Sequence, residues 1–159
     1  MGKIDLASVP VKTGTIYPRP YDAEVAGRSG MRLGDAGGLT QFGVNIVILA
    51  PGAKSSMRHW HLHEDEFVMI TQGGCTMMLD AGPTVMRVGD CAAFPAGLAD
   101  GHTFINHTDR EARFLVVGTK APHEVATYSD IDLMVELSPG EQGRAHFTYK
   151  DGSDWQGPR

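Results

Sequence analysis

From Gln41 onward the chain alternates short apolar runs with turn residues: QFGVNIVILA, MRHWHLHEDEFVMI, CTMMLD, TVMRV, CAAFPAG, HTFIN and ARFLVVG, separated by PGAKSS, TQGG, AGP, GD, LADG and HTDRE. Runs of this length, bounded by Gly, Pro, Asn and Asp, predict strands. No stretch of twelve or more residues carries a clean helical stripe, so helices are not expected to build the core. Many short strands at this spacing predict an all-β sandwich or barrel.

The flanks have a different texture. Residues 1–38 are polar and rich in Gly and Pro, and predict an extended N-terminal arm with at most one short strand; residues 39–120 form the barrel. Residues 121–159 are mixed again, with YSDIDLMVEL and RAHFTYKDG each able to add a strand to an extension that packs on the barrel. At 159 residues the whole is expected to be one domain.

Composition narrows the function classes. A net charge of -5 without a basic stripe argues against a nucleic-acid partner. The longest apolar run, IVILA at residues 46–50, is far too short to span a membrane. The first residues, MGKIDLASVP, lack the apolar segment of a secretory signal, so a cytoplasmic protein is expected. Cys75 and Cys91 are then expected to be reduced, small buried hydrophobes. Met57, Met69, Met77, Met78 and Met86 are expected to fill the barrel core or to line a cavity.

The stretch RHWHLHEDEF, residues 58–67, concentrates the chemistry: three of seven histidines at alternate positions, then three carboxylates. On a strand, alternate side chains share a face, so His59, His61 and, if the strand runs on, His63 lie together, while Trp60 faces away. Imidazoles two residues apart stand about 6.6 Å apart at the backbone, close enough for both rings to lean on one ion. Further ligands must come from elsewhere. Glu66, with Glu64 and Asp65 as chemical rivals, can return to the same face, and His102 opens a later strand on which Phe104 and Asn106 share its face. Imidazole and carboxylate together suit one divalent transition metal such as Fe, Mn, Ni or Zn.

These residues resemble the two motifs of the cupin superfamily, and more closely a group of short single-domain bacterial cupins. The first motif runs Gly, five residues, His-x-His, three or four residues, Glu, six residues, Gly. Here Gly52 is followed by six residues before His59-Trp60-His61, then by four residues, Glu66, six residues and Gly73. The second runs Gly, five residues, Pro-x-Gly, two residues, His, three residues, Asn. Gly89, Pro95 and Gly97 fit, four residues separate Gly97 from His102, and Asn106 falls in place. Fifteen residues separate the motifs, enough for a single hairpin.

The resemblance implies a double-stranded β-helix, a jelly-roll barrel holding one metal on His59, His61, Glu66 and His102. At the standard spacing Asp100 would stand where His102 is taken as ligand; the intact His-x-x-x-Asn favours His102. His63, Met57, Phe104 and Asn106 are candidates for the surroundings of the site or its cavity, with Asn106 expected to bond backbone near the barrel mouth. Dioxygenases, decarboxylases, isomerases and lyases share this cage, and family frequency places oxidation with dioxygen slightly above isomerase or lyase chemistry on a small polar or carboxylate-bearing metabolite. The alternative is a non-catalytic cupin that binds or senses a small molecule through its metal. A homodimer is expected from the habits of such barrels.

Overall fold

The computed structural model describes residues 2–138 and 144–159. Its strands are β1 (Lys12–Thr13), β2 (Arg28–Arg32), β3 (Phe42–Leu49), β4 (His59–His61), β5 (Glu66–Gln72), β6 (Gly74–Leu79), β7 (Gly82–Arg87), β8 (Cys91–Phe94), β9 (Thr103–Ile105), β10 (Ala112–Thr119), β11 (Glu124–Tyr128), β12 (Met134–Ser138) and β13 (Arg144–Thr148). A 3-10 turn at Leu6–Ser8 and the four-residue helices at Tyr21–Glu24 and Leu33–Ala36 are the only helical pieces among the described residues. Each apolar run from Gln41 to Gly118 contains a strand.

The strands close into two facing layers. One is a six-stranded sheet in the order β1-β2-β3-β10-β5-β8. The other joins β13-β12-β11-β4 to β7-β6-β9 through the isolated bridges His59↔His102 and Lys54↔Ile105. Val47, Leu49, Val68, Ile70 and Phe114 of the first layer meet Cys75, Met77, Met86 and Phe104 of the second in one buried cluster. This is the all-β barrel that the alternation predicts and the jelly roll that the resemblance implies, with alternate side chains of the core strands inside. β6 and β7 form the hairpin between the two motifs. Gly73 leads into that hairpin at φ 68°, and a Cβ there would stand 2.7 Å from the Glu111 carbonyl oxygen. Only glycine meets both demands.

Four expectations need correction. The first 38 residues are more than an arm with one short strand, because β2 pairs with β3 along Arg28–Arg32 and extends the large sheet. Its outward Met31 packs with Ile48 and Val9, an apolar pairing too sparse to be read from sequence. Beyond residue 120, β12 and β13 form where the two candidate stretches lie, but β11 also forms and pairs with β4 itself. The barrel's histidine strand is therefore completed by the extension. Met69 is exposed, since its neighbours Val68 and Ile70 take the inner face of β5. Cys91 is exposed for the same reason on β8, whereas Cys75 is buried and its thiol is pushed up to about 11 by burial.

Candidate metal centre

The imidazoles are brought together by backbone pairing. His59 and His102 exchange both bridge hydrogen bonds, His59 N–H to His102 C=O at 3.1 Å and His102 N–H to His59 C=O at 2.8 Å. Directly opposed residues project to one face, so their rings lie 4.9 Å apart, and the His59 and His61 rings lie 4.8 Å apart. One ring nitrogen from each of His59, His61 and His102 falls within 4.8 Å of the other two. Glu66, first residue of β5, reaches across from the other layer. Its oxygens stand 3.5 Å from His61 Nε2 and 3.4 Å from His102 Nε2.

The orientation of each ring decides what it offers. His59 Nδ1 lies 2.9 Å from the Met57 carbonyl oxygen, an acceptor only, so it carries the proton and leaves Nε2 as a lone pair. That lone pair faces His61 Nε2 at 3.2 Å, while His61 Nδ1 faces Glu124 Oε1 at 3.5 Å. His102 is 2% exposed, stacks on Phe94 at 3.7 Å between ring centroids, and has no hydrogen-bond partner at either ring nitrogen. Buried nitrogens aimed at one another without partners are costly unless a proton or cation lies between them. Bonds of about 2.1 Å to a shared ion put adjacent donors roughly 3.0 Å apart in an octahedron and roughly 3.4 Å apart in a tetrahedron. The 3.2–3.5 Å separations here suit a shared ion.

The electrostatics follow from burial and from the two carboxylates. His59 is pushed down to about 3 by burial and by His61 and His102 beside it. Burial also opposes charge on His61, but Glu124 and Glu66 outweigh it and hold this imidazole at about 9. For Glu66 burial works upward, and contact with His102 and His61 overcomes it, holding the carboxyl well below the usual carboxylate range.

Glu124 is the residue that sequence reasoning missed. It is 1% exposed on β11 and accepts hydrogen bonds from Leu62 N–H at 2.8 Å and His63 N–H at 2.9 Å while facing the back of His61. The contact with His61 Nδ1 is an ion-pair approach rather than a formed hydrogen bond, and a carboxylate so placed favours one tautomer and tilt of a ligating imidazole. The signal was present only as an acid at the head of the run VATY. It became visible when β11 paired with β4.

The remaining candidates sort by what they touch. Glu64 accepts from Ala121 N–H at 2.8 Å and joins His61 and Glu124 on the outer side of that ring. Asp65 accepts from Ala96 N–H at 2.8 Å and braces a loop. Asp100 accepts from Asp80 N–H at 2.8 Å, outside the imidazole cluster, so His102 and not Asp100 stands beside His59. His63 is half exposed at the rim, 3.9 Å from Glu124 Oε2, because β4 ends at His61. Met57 acts through its carbonyl on His59. Phe104 lies behind the cluster against Phe114, at 4.9 Å between centroids. Asn106 is fully buried and donates to the Leu49 and Arg110 carbonyls while accepting from Thr108, a structural knot. A cavity of about 330 Å³ opens on His61 and His102 and is otherwise lined mainly by apolar groups, among them Trp60, Met77, Phe94 and Leu98.

This fold and cluster are those of a cupin, and the chain belongs to the cupin family. Residues 45–118 match the Cupin domain. A curated relative, Protein SchB of Streptomyces halstedii, is 30% identical over 103 residues, covering 64% of this chain and 72% of that one. A crystal structure from Silicibacter pomeroyi DSS-3, described as a sugar phosphate isomerase from a cupin superfamily, is 54% identical with a TM-score of 0.93, covering 98% of this chain and 97% of the other. The polyketide cyclase RemF of Streptomyces resistomycificus shares the fold, at 20% identity and a TM-score of 0.61 over 75% of this chain and 79% of its own.

Proposed function

We propose that this protein is a metal-dependent isomerase of a small phosphorylated sugar, with His59, His61, Glu66 and His102 holding one divalent transition metal, Fe, Mn, Ni or Zn. The observation that carries the reading is the whole-chain likeness, at 54% identity, to a structure described as a sugar phosphate isomerase. The donor set supports it, because three imidazoles and one carboxylate leave open positions on an ion of this kind. A bound ion would polarise a substrate carbonyl and its neighbouring hydroxyl, making the proton on the hydroxyl-bearing carbon easier to remove.

The chain's own residues do the positioning. Met57 and Glu124 orient His59 and His61, and stacking on Phe94 holds His102. The Tyr128 ring lies 5.9 Å from His59 and meets Tyr17 edge-on at 5.4 Å. Burial raises both phenols, so they stay protonated and offer neutral donors near the site. Incubating the metal-loaded protein with aldose and ketose phosphates in D2O tests the reading by NMR. Interconversion with deuterium entering beside the carbonyl is the expected result; inertness towards every pair counts against it.

Oxidation with dioxygen is the second reading. The largely apolar cavity beside His61 and His102 favours it, since dioxygen partitions into such space. Substrate-dependent oxygen uptake would promote it above the first. A protein that binds sugar phosphates without turning them over would instead be a metal-anchored binding cupin.

A homodimer is also proposed. The outer face of the large sheet sets Phe67 and Met69 beside Val117 and Leu115 of β10 and beside Ala93 and Cys91 of β8, an apolar array with Phe67 and Met69 about two-fifths exposed. Such a face on a sheet commonly meets a second subunit. Light scattering is expected to return twice the 17.1 kDa chain mass, and Phe67→Asp to return one.

A further inference from the structure

Strand β2 carries a cation that no part of the proposed metal site uses. Arg28 opens β2 and lies directly opposite Leu49 of β3, whose side chain is fully buried in the barrel core. Opposed residues on paired strands share a face, so Arg28 projects inward, unlike the outward Met31 of the same strand. Its Nε is buried without any hydrogen-bond partner, and among the described residues no carboxylate pairs with its guanidinium. Of the charged groups, Glu66 attracts it and Arg32 repels it, and the neutral Tyr17 phenol is a neighbour. Tyr17 in turn receives the Met57 N–H at 3.2 Å and abuts Tyr128, which abuts His59.

Arg58 and Arg32, by contrast, have acids of their own. Arg58 is held by Asp130 and Asp80, and Arg32 lies 3.7 Å from Asp35 at the surface. The Glu66 charge is already shared by His61 and His102. An arginine stays protonated even where burial lowers its pKa, and its planar fork matches a phosphate or carboxylate through two hydrogen bonds. A largely buried guanidinium lacking an acid is costly unless an anion from outside completes it.

We propose that Arg28 seats the phosphate of the substrate, placing the sugar's oxygens towards the imidazole cluster. The inference rests on the phosphorylated-sugar reading for its choice of anion, and its test needs no turnover. Inorganic phosphate is the probe, titrated calorimetrically into the metal-loaded protein and into Arg28→Gln and Arg28→Lys, with metal content measured on the same samples. Arg28→Gln is expected to weaken phosphate binding at least about tenfold at unchanged metal content, and Arg28→Lys to recover part of the loss. Phosphate is also expected to protect Arg28 of the unaltered chain from phenylglyoxal, read by peptide mass spectrometry, while exposed Arg110 is modified as before. That readout stands even if a variant folds poorly.

Three results overturn the proposal: phosphate binding that is absent, phosphate binding indifferent to Arg28 and thus held by the metal alone, or acetate bound as tightly as phosphate. Arg28-dependent phosphate binding without isomerisation would sink the isomerase reading alone. Isomerisation with Arg28 left unprotected would sink this inference alone.

Discussion

His102→Ala is expected to reduce bound divalent metal from about one ion per chain to background, as are His59→Ala and Glu66→Ala, while Asp100→Ala retains it. Each change removes a donor from the cluster in which Nε2 of His59 and His61 stand 3.2 Å apart and Glu66 reaches both His61 and His102. Losing a donor should cost more than the roughly 10–100-fold in affinity that loss of an outer partner costs. Asp100 is the internal control, since it is occupied with Asp80 N–H. Elemental mass spectrometry on protein expressed without a histidine tag reads the outcome directly. Chelation of the unaltered protein should also lower its melting temperature, because an ion that binds only the folded chain stabilises it by mass action. Metal content indifferent to all three changes would remove the metal-centred reading of this cluster.

Glu124 is expected to matter nearly as much although it touches no position the ion would occupy. Glu124→Gln should weaken metal binding by about 10–100-fold, because the partner that orients His61 loses its charge. Glu124→Ala should in addition destabilise the metal-free chain by roughly 1–3 kcal/mol, since the part-buried His63 N–H loses its acceptor while Leu62 N–H keeps the Val125 carbonyl at 3.0 Å. Metal titration and denaturant unfolding separate the two effects. Equal metal affinity in Glu124→Gln and the unaltered chain would leave Glu124 as a brace for the turn after β4 and nothing more.

Glu124 also shows where reading by pattern stops. His59 and His61 could be placed on one face from their two-residue spacing, because strand alternation is a local property of the backbone. Glu66 could be chosen over Glu64 and Asp65 by its offset in the motif, and the structure puts the two rivals on Ala121 and Ala96 N–H instead. His102 was preferred to Asp100 in the same way and meets His59 through a bridge. No comparable local signal marks Glu124, which lies 63 residues beyond His61 and reaches it only through the β4–β11 register. Phe94, stacked on His102, was likewise one apolar residue among many.

Period-two alternation broken by turn residues was enough for an all-β barrel or sandwich, and the resemblance of two motifs to those of cupins singled out the candidate donors. The tertiary structure decided what depends on contacts between distant segments. It made the first 38 residues part of the large sheet, turned Met69 and Cys91 outward, placed Glu124 behind His61, and pointed Arg28 into the barrel without an acid to meet it. The physical reason is that alternation assigns a residue to a face but not to a neighbour. Neighbours follow from strand register, and register is settled by packing across the whole barrel.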